Sequence, residues 1–276
     1  MSIITLTTDF GLKDHFVGAL KGKILSEFSD AKIIDISHNI DPFNISETNY
    51  IINASYANFP NGTVHIIGVD SEINQENLHI AIEWNNQFFI CADNGILSLL
   101  TQKIMPKKMV AINIHDRFSV NATSIEVFVK VACHLAKGGL LNVIGKEIEL
   151  LKPISELQPT ISDDGKILKG IIIYIDHYGN AVTNISRKTI EEHSKGRSFE
   201  INFKNKNIKT IFAKYSDIGN SGKYFLKHYE GQKMAVYNEA DLIEIAIFKS
   251  NPATVGSANS LLGLNYRDVI SIVFNN

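Results

Sequence analysis

Apolar and polar positions along this chain follow two periods, and their arrangement changes character near residue 150. The chain opens on Ile3-Ile4-Thr5-Leu6, a run rich in β-branched residues that predicts a buried strand. Leu12, Phe16, Leu20, Ile24 and Phe28 then recur at helical spacing and predict a helix over 12–28. Lys32 to Ser37 predicts a second strand and Ser46 to Phe59 a second helix. Thr63 to Val69 predicts a third strand after the turn Pro60-Asn61-Gly62. Leu78 to Glu83 and Gln87 to Cys91 predict a hairpin across Trp84-Asn85-Asn86. Asp93-Asn94-Gly95 is expected to open a helix over 96–103, followed by a strand over 110–114. A further helix over 124–137 is stopped by Gly138-Gly139. Strands alternating with helices predict an α/β domain over 1–155, built on a doubly wound, mostly parallel sheet.

Beyond that point Pro153, Pro159 and Ser162-Asp163-Asp164-Gly165 read as a linker and turn. Short β-rich pieces follow at 169–175, 198–203, 209–212, 233–237, 242–248 and 269–274. Turns carrying Gly, Asn or Asp separate them. This texture predicts a smaller C-terminal domain over 166–276, folded as an antiparallel β-barrel. A length of 276 residues fits two domains at roughly 150 residues each.

Composition narrows the function. The chain is 45% hydrophobic and 20% charged, with a formal net charge of −2, which favours neither nucleic acid nor an anionic membrane surface. Its two cysteines, Cys91 and Cys133, lie in apolar runs and are expected to be buried free thiols. No basic stretch precedes a long apolar run, and the apolar runs are too short to span a bilayer, so a cytoplasmic protein is expected. There is no Gly-x-Gly-x-x-Gly after a strand, no helical His-Glu-x-x-His and no Gly-x-Ser-x-Gly, so neither a cofactor nor a metal is expected. Gly219 to Lys223 is only a loose likeness of a phosphate loop, because Tyr224 stands where Ser or Thr is needed.

Two carboxylates stand out. Asp9 follows the first strand and Asp70 the third, and the carboxyl edge of an open α/β sheet is where ligands bind. Asp9 has two readings, as a cap on the following helix or as an acceptor for a vicinal diol such as a ribose. Asp14 is placed to pair with a cation. In the second domain, Asp176-His177-Tyr178-Gly179-Asn180 with Thr183-Asn184 reads either as an ordinary turn or as a purine-reading edge made by Asn180 and Asn184.

Taken in order, several segments resemble one family. Thr7-Thr8-Asp9-Phe10-Gly11-Leu12-x-Asp14-x-Phe16-Val17-Gly18-x-x-Lys21-Gly22 opens the set. Ile34 to His38, Phe59 to His65 and Asp93-Asn94-Gly95 follow, then Ile175 to Ile185, Glu244-Ile245-Ala246 and Gly256-Ser257-Ala258-Asn259. Together they resemble the S-adenosyl-L-methionine (SAM) hydroxide adenosyltransferases, the SAM hydrolases related to fluorinases and chlorinases. The resemblance implies hydrolysis of SAM to adenosine and L-methionine, with SAM as substrate and no further cofactor. It also implies a homotrimer whose sites lie between subunits. Carried over by position, Asp9 becomes the ribose acceptor, and Asp14 and Asp176 lie near the methionine ammonium. Phe43 packs by the adenosine, Asn180 reads the adenine, and Ala258 lies in the backbone segment beside it.

The family polarises its water with an Asp-Arg-His triad, and Asp70 stands at the Asp position. The Arg column falls on Asn77 and the His column on Thr123, which hydrogen-bond a water but bring it no positive charge. A Ser near the methionine carboxylate falls on Glu239. His115 and Arg117, just upstream of the predicted helix, are placed either to fill the two vacated roles or to form a solvated pair. The expected machinery is therefore Asp70 with Thr123 acting on water, since nothing at Ile73 or Thr123 marks a halide pocket. A non-catalytic adenosine or SAM binder is the alternative.

Overall fold

The computed structural model describes residues 2–115, 122–220 and 225–275. Arg117 and the segment Ser221 to Lys223, singled out above, lie outside them. The chain divides into two compact units, Met1–Glu156 and Leu157–Asn276.

In the first unit the elements run β1 (Ile3–Thr8), α1 (Phe16–Glu27), β2 (Lys32–Ser37), α2 (Ile45–Ser55), β3 (Val64–Gly68) and β4 (His79–Trp84). They continue with β5 (Gln87–Ala92), α3 (Ile96–Leu100), β6 (Lys108–Ile112), α4 (Ser124–Ala136) and β7 (Gly145–Glu147). The strands form one sheet in the order β2-β1-β3-β5-β4-β6-β7. β1 is parallel to both β2 and β3, and β3 is parallel to β5. β4 runs against β5 and β6, and β7 against β6. The sheet is therefore mostly parallel, with the carboxyl ends of β1, β3 and β5 side by side at one edge.

All six residues of β1 are buried, as a strand covered on both faces requires. Alternation along the neighbouring strands divides the core in two. Val64, Ile66 and Ile90 pack with Leu20 and Ile24 of α1 and with Val127, Phe128 and Val131 of α4. Ile67, Phe89 and Cys91 point the other way, onto Ile52 of α2 and Ile96, Leu97 and Leu100 of α3. The hairpin β4–β5 turns on Asn85 and Asn86, at φ 49° and 59°, the left-handed pair that matches strand twist.

The helices are shorter than periodicity suggests. α1 begins only at Phe16, and Leu12, 65% exposed, lies before it and holds no core position. α2 stops at Ser55 and gives way to a 3₁₀ turn over Tyr56–Asn58. α3 has only five residues. Sequence spacing marks the apolar positions, and burial selects which of them propagate a helix.

The second unit holds β8 (Thr160–Ile161), β9 (Ile167–Ile175), β10 (Ala181–Ser186), α5 (Arg187–Ser194), β11 (Phe199–Phe203) and β12 (Lys206–Ile208). It continues with β13 (Ile211–Phe212), β14 (Lys233–Tyr237), β15 (Leu242–Ile247), α6 (Ala258–Leu262) and β16 (Val269–Phe274). They form a nearly closed, barrel-like sheet in the order β12-β11-β16-β9-β10-β15-β14-β13, with β8 beside β9. Every pairing is antiparallel except β13 with β14. Ile172, Ile185, Ile201, Ile245 and Ile270 fill its interior. The sequence pattern misses β10, because Thr183 and Asn184 read as turn residues. Thr183 is buried and donates its hydroxyl to Ile243 O at 2.9 Å, which makes a polar residue compatible with a central strand.

Both cysteines are buried and unpaired with each other. Among the described residues no helix is long and apolar enough to cross a membrane. No group of three or more His, Cys, Asp or Glu among them is placed to hold a metal ion.

Candidate active site

Three parallel strands in a row place an acidic residue just past each carboxyl end: Asp9 after β1, Asp70 after β3 and Asp93 after β5. Each is fixed by different contacts.

Asp9 does not cap α1. That helix starts beyond it, with His15 at the N-cap position and no side-chain cap. The Asp9 carboxylate instead accepts the Phe43 backbone N–H at 3.1 Å. Phe43 adopts φ 62°, a left-handed conformation unusual for an aromatic residue, and its ring is 71% exposed. The same two loops meet again where Gly11 N–H donates to His38 O at 2.7 Å. Thr8 Oγ1 bonds His38 Nδ1 at 2.7 Å, which fixes the buried imidazole beneath them. Asp9 and the exposed Phe43 are thus carried on stitched loops. Asp14 stands exposed between β1 and α1.

Asp70 is left-handed as well, at φ 43°. Such a conformation costs an L-residue about 1–2 kcal/mol, although Asp tolerates it better than most. Asn94 holds it there, donating its amide to Val69 O and Asp70 O at 3.1 Å each. Gly68 lies beneath. A Cβ there would sit 3.2 Å from both Ile125 Cδ1 and Thr8 Cγ2, so a larger residue would push against the strand that carries Asp70.

The loop after Asp70 rests on a pair of histidines. His79 is fully buried, and its Nε2 lies 3.0 Å from Ser71 O. A carbonyl only accepts, so Nε2 carries the hydrogen. Burial pulls the His79 pKa down to about 4, so the ring is neutral and its Nδ1 accepts. The partner is His115 Nε2 at 3.0 Å, which must then be the donor. His115 therefore braces the loop through His79.

Burial of His79 and His65 has a measurable consequence, because both rings sit near pKa 4 rather than 6.5, with desolvation as the leading cause. The unfolded chain binds more protons than the folded one between those values. Stability is therefore fully present above pH 6.5 and falls as pH drops toward 4. Urea melts at pH 7 and pH 5 should differ by about 2 kcal/mol for each of the two rings. His65→Gln should remove its share of that difference. A melt that does not move between the two pH values would contradict both assignments.

Thr123 is the N-cap of α4. Its Oγ1 accepts from Glu126 N–H at 3.3 Å, and Glu126 returns a bond to Thr123 N–H at 2.9 Å.

The second unit carries its own polar cluster at the β9–β10 turn. Asp176 takes the Asn180 N–H on one oxygen at 2.8 Å and the Asn180 side-chain amide on the other at 2.9 Å. That amide also donates to Tyr215 Oη at 3.0 Å, and Tyr215 donates to Glu244. Both hydrogens of the Asn180 amide are thus committed, which leaves Oδ1 to meet a ligand. Burial, with the negative charge of Asp176 nearby, raises the Glu244 carboxyl above its ordinary range and raises the Tyr215 phenol as well. Asn184 lies within β10, where its amide accepts from Ile171 N–H at 2.8 Å and donates to Leu157 O at 2.6 Å. Ala258 is buried at the start of α6. Its neighbour Ser257 crowds Gly179, whose added Cβ would lie 2.3 Å from Ser257 Oγ. Gly179 O accepts from Asn259 N–H at 2.9 Å.

Asn94, His79 and Lys152 hold the segments around Asp70 and Asp93, and sequence reasoning gave them no role. Lys152 donates its backbone N–H to Asp93 at 2.9 Å, and burial raises the Asp93 carboxyl. Asn94 stands in a turn motif that could have been read as a clamp, whereas Lys152 meets its partner Asn77 from 75 residues away with no local signal.

Comparison with known proteins bears on both units. Residues 4–145 match the model of the SAM hydroxide adenosyltransferase N-terminal domain, and residues 170–271 that of the C-terminal domain. A protein of Methanocaldococcus jannaschii named (R)-S-adenosyl-L-methionine hydrolase is 30% identical over 99% of this chain and 97% of its own length. A fluorinase of Actinopolyspora mzabensis is 25% identical over 70% of this chain and 75% of its own. An uncharacterized conserved protein of Thermotoga maritima shares the fold, with a TM-score of 0.82 and 24% identity over 98% of this chain and 99% of that one.

Proposed function

The chain belongs to the SAM hydroxide adenosyltransferase family, and we propose that it hydrolyses SAM to adenosine and L-methionine. The observation that carries the reading is the likeness, along nearly the whole of both chains, to a relative named as such a hydrolase.

The chemistry asks for little covalent help, because a sulfonium is already a good leaving group. The protein must bind the substrate, hold a water in line with the 5′ carbon–sulfur bond and polarise it. Asp70 is the group assigned to the water, and its clamped backbone supports that role by fixing the carboxylate in advance. Thr123 Oγ1 is assigned as a second acceptor, for the water's other hydrogen. Asp9 takes the ribose hydroxyls, and Phe43, held by Asp9, packs against the adenosine. Asp14 and Asp176 take the methionine ammonium. Asn180 Oδ1 accepts from the adenine amine, with Ala258 in the segment beside it. A cytoplasmic homotrimer with sites shared between copies belongs to the same proposal.

Incubating the purified chain with SAM and separating products by chromatography tests it. Adenosine and methionine are expected in equal amounts. SAM binding without turnover would instead identify a non-catalytic binder.

A further inference from the structure

We infer that Lys152, acting through the side chain of Asn77, orients and stabilises the attacking water; this rests on the hydrolase reading above. The loop 71–77 starts beside Asp70 and ends at Asn77, and two consecutive residues draw its ends together. Asn94 donates to Asp70 O at 3.1 Å, and Asp93 N–H donates to Leu78 O at 2.7 Å. Asn74 Oδ1 closes the tip, accepting from Glu76 N–H at 2.8 Å and Asn77 N–H at 2.9 Å. Asp70 and Asn77 are therefore both tied to the end of β5.

Lys152 is tied there too. Its backbone N–H is held by Asp93, and its ammonium donates to Asn77 Oδ1 at 2.8 Å. Lys152 and Asn77 are both partly buried, which strengthens the bond relative to one in open water. An amide can present either its oxygen or its nitrogen to a ligand, and the ammonium settles the choice. With Oδ1 on Lys152, the Nδ2 hydrogens are left to meet a ligand oxygen, and the cation behind them makes them better donors.

A water that accepts from Asn77 and donates to Asp70 keeps a lone pair for the 5′ carbon. In the step, the water oxygen bonds to that carbon as the carbon–sulfur bond breaks. The electron pair stays on sulfur, turning the sulfonium into the thioether of methionine, and the water proton passes to Asp70 and then to solvent. As the proton leaves, the oxygen becomes hydroxide-like, and Lys152 supplies the positive charge that neither Asn77 nor Thr123 carries. Lys152 is a positioning residue here, because it acts through Asn77.

The test measures kcat and KM for SAM with the full chain and with Lys152→Met, Lys152→Arg and Asn77→Ala. Because the main-chain bond from residue 152 to Asp93 survives these changes, the loop keeps its anchor. Lys152→Met and Asn77→Ala should each lower kcat on the order of 10²-fold, with KM held within about 3-fold. Lys152→Arg should recover most of the rate, since a guanidinium also donates to the amide oxygen. Should Lys152→Met not fold, Asn77→Ala and Lys152→Arg carry the comparison. Unchanged kcat in an active enzyme overturns this inference alone. A rise in KM at constant kcat also overturns it, assigning the pair to the carboxylate of SAM. A wild-type chain that makes no adenosine overturns the hydrolase reading and this inference with it.

Discussion

Asp70→Asn should lower kcat for SAM hydrolysis by about 10²–10⁴-fold and leave KM nearly unchanged. The substitution is chosen so that only the chemistry changes. Asn has the size of Asp and tolerates the left-handed conformation, so φ 43° should persist at residue 70. The two bonds that Asn94 makes go to backbone carbonyls, which the change does not touch. What is lost is a charged acceptor for the water proton, since an amide cannot take that proton at neutral pH. The measurement is adenosine release under saturating SAM, with a thermal melt of both proteins beside it. A fall in rate with an unmoved melting temperature supports the assignment. If Asp70→Asn turns over at the wild-type rate, another group polarises the water and the proposed mechanism fails.

The edge that carries Asp70 is legible in sequence because it depends on short-range pattern. Buried runs such as Ile3 to Leu6 and Thr63 to Val69 announce parallel strands, and an acidic residue at the end of each follows from the count. The barrel-like unit is legible as texture, yet β10 escapes, because a buried Thr satisfied by a distant carbonyl looks like a surface Thr in a sequence window. Asp9 shows the limit more clearly. As a residue between strand and helix it fits a cap, and only the tertiary bond to Phe43 shows otherwise. Asn180 shows it again: its residue type offers a donor and an acceptor, but its neighbours Asp176 and Tyr215 take both amide hydrogens. The same holds for Lys152, whose pairing with Asn77 is a long-range contact with no periodic signal. Sequence therefore identifies which residue types reach the edge, and packing decides which of their atoms remain to meet a ligand.

Asp9→Ala should raise KM for SAM by about 10²-fold, with a smaller change in kcat. A carboxylate that accepts both ribose hydroxyls makes two charge-assisted bonds, each worth about 1.5–3 kcal/mol. Asp9 also accepts the Phe43 N–H, but a carboxylate has about four acceptor positions, so that bond leaves room for the diol. Because the variant also frees the Phe43 backbone, a KM change alone does not separate ribose recognition from loss of the loop. A substrate comparison does. The wild-type enzyme should prefer SAM over its 2′-deoxyribose analogue by about tenfold or more, since the analogue lacks one of the two bonds. Asp9→Ala should treat the two substrates nearly alike, whatever the state of the loop. Asp9→Asn, which keeps an acceptor and can still receive the Phe43 N–H, should lie between them. If Asp9→Ala retains the full preference for SAM, Asp9 only anchors the Phe43 loop and another group binds the ribose.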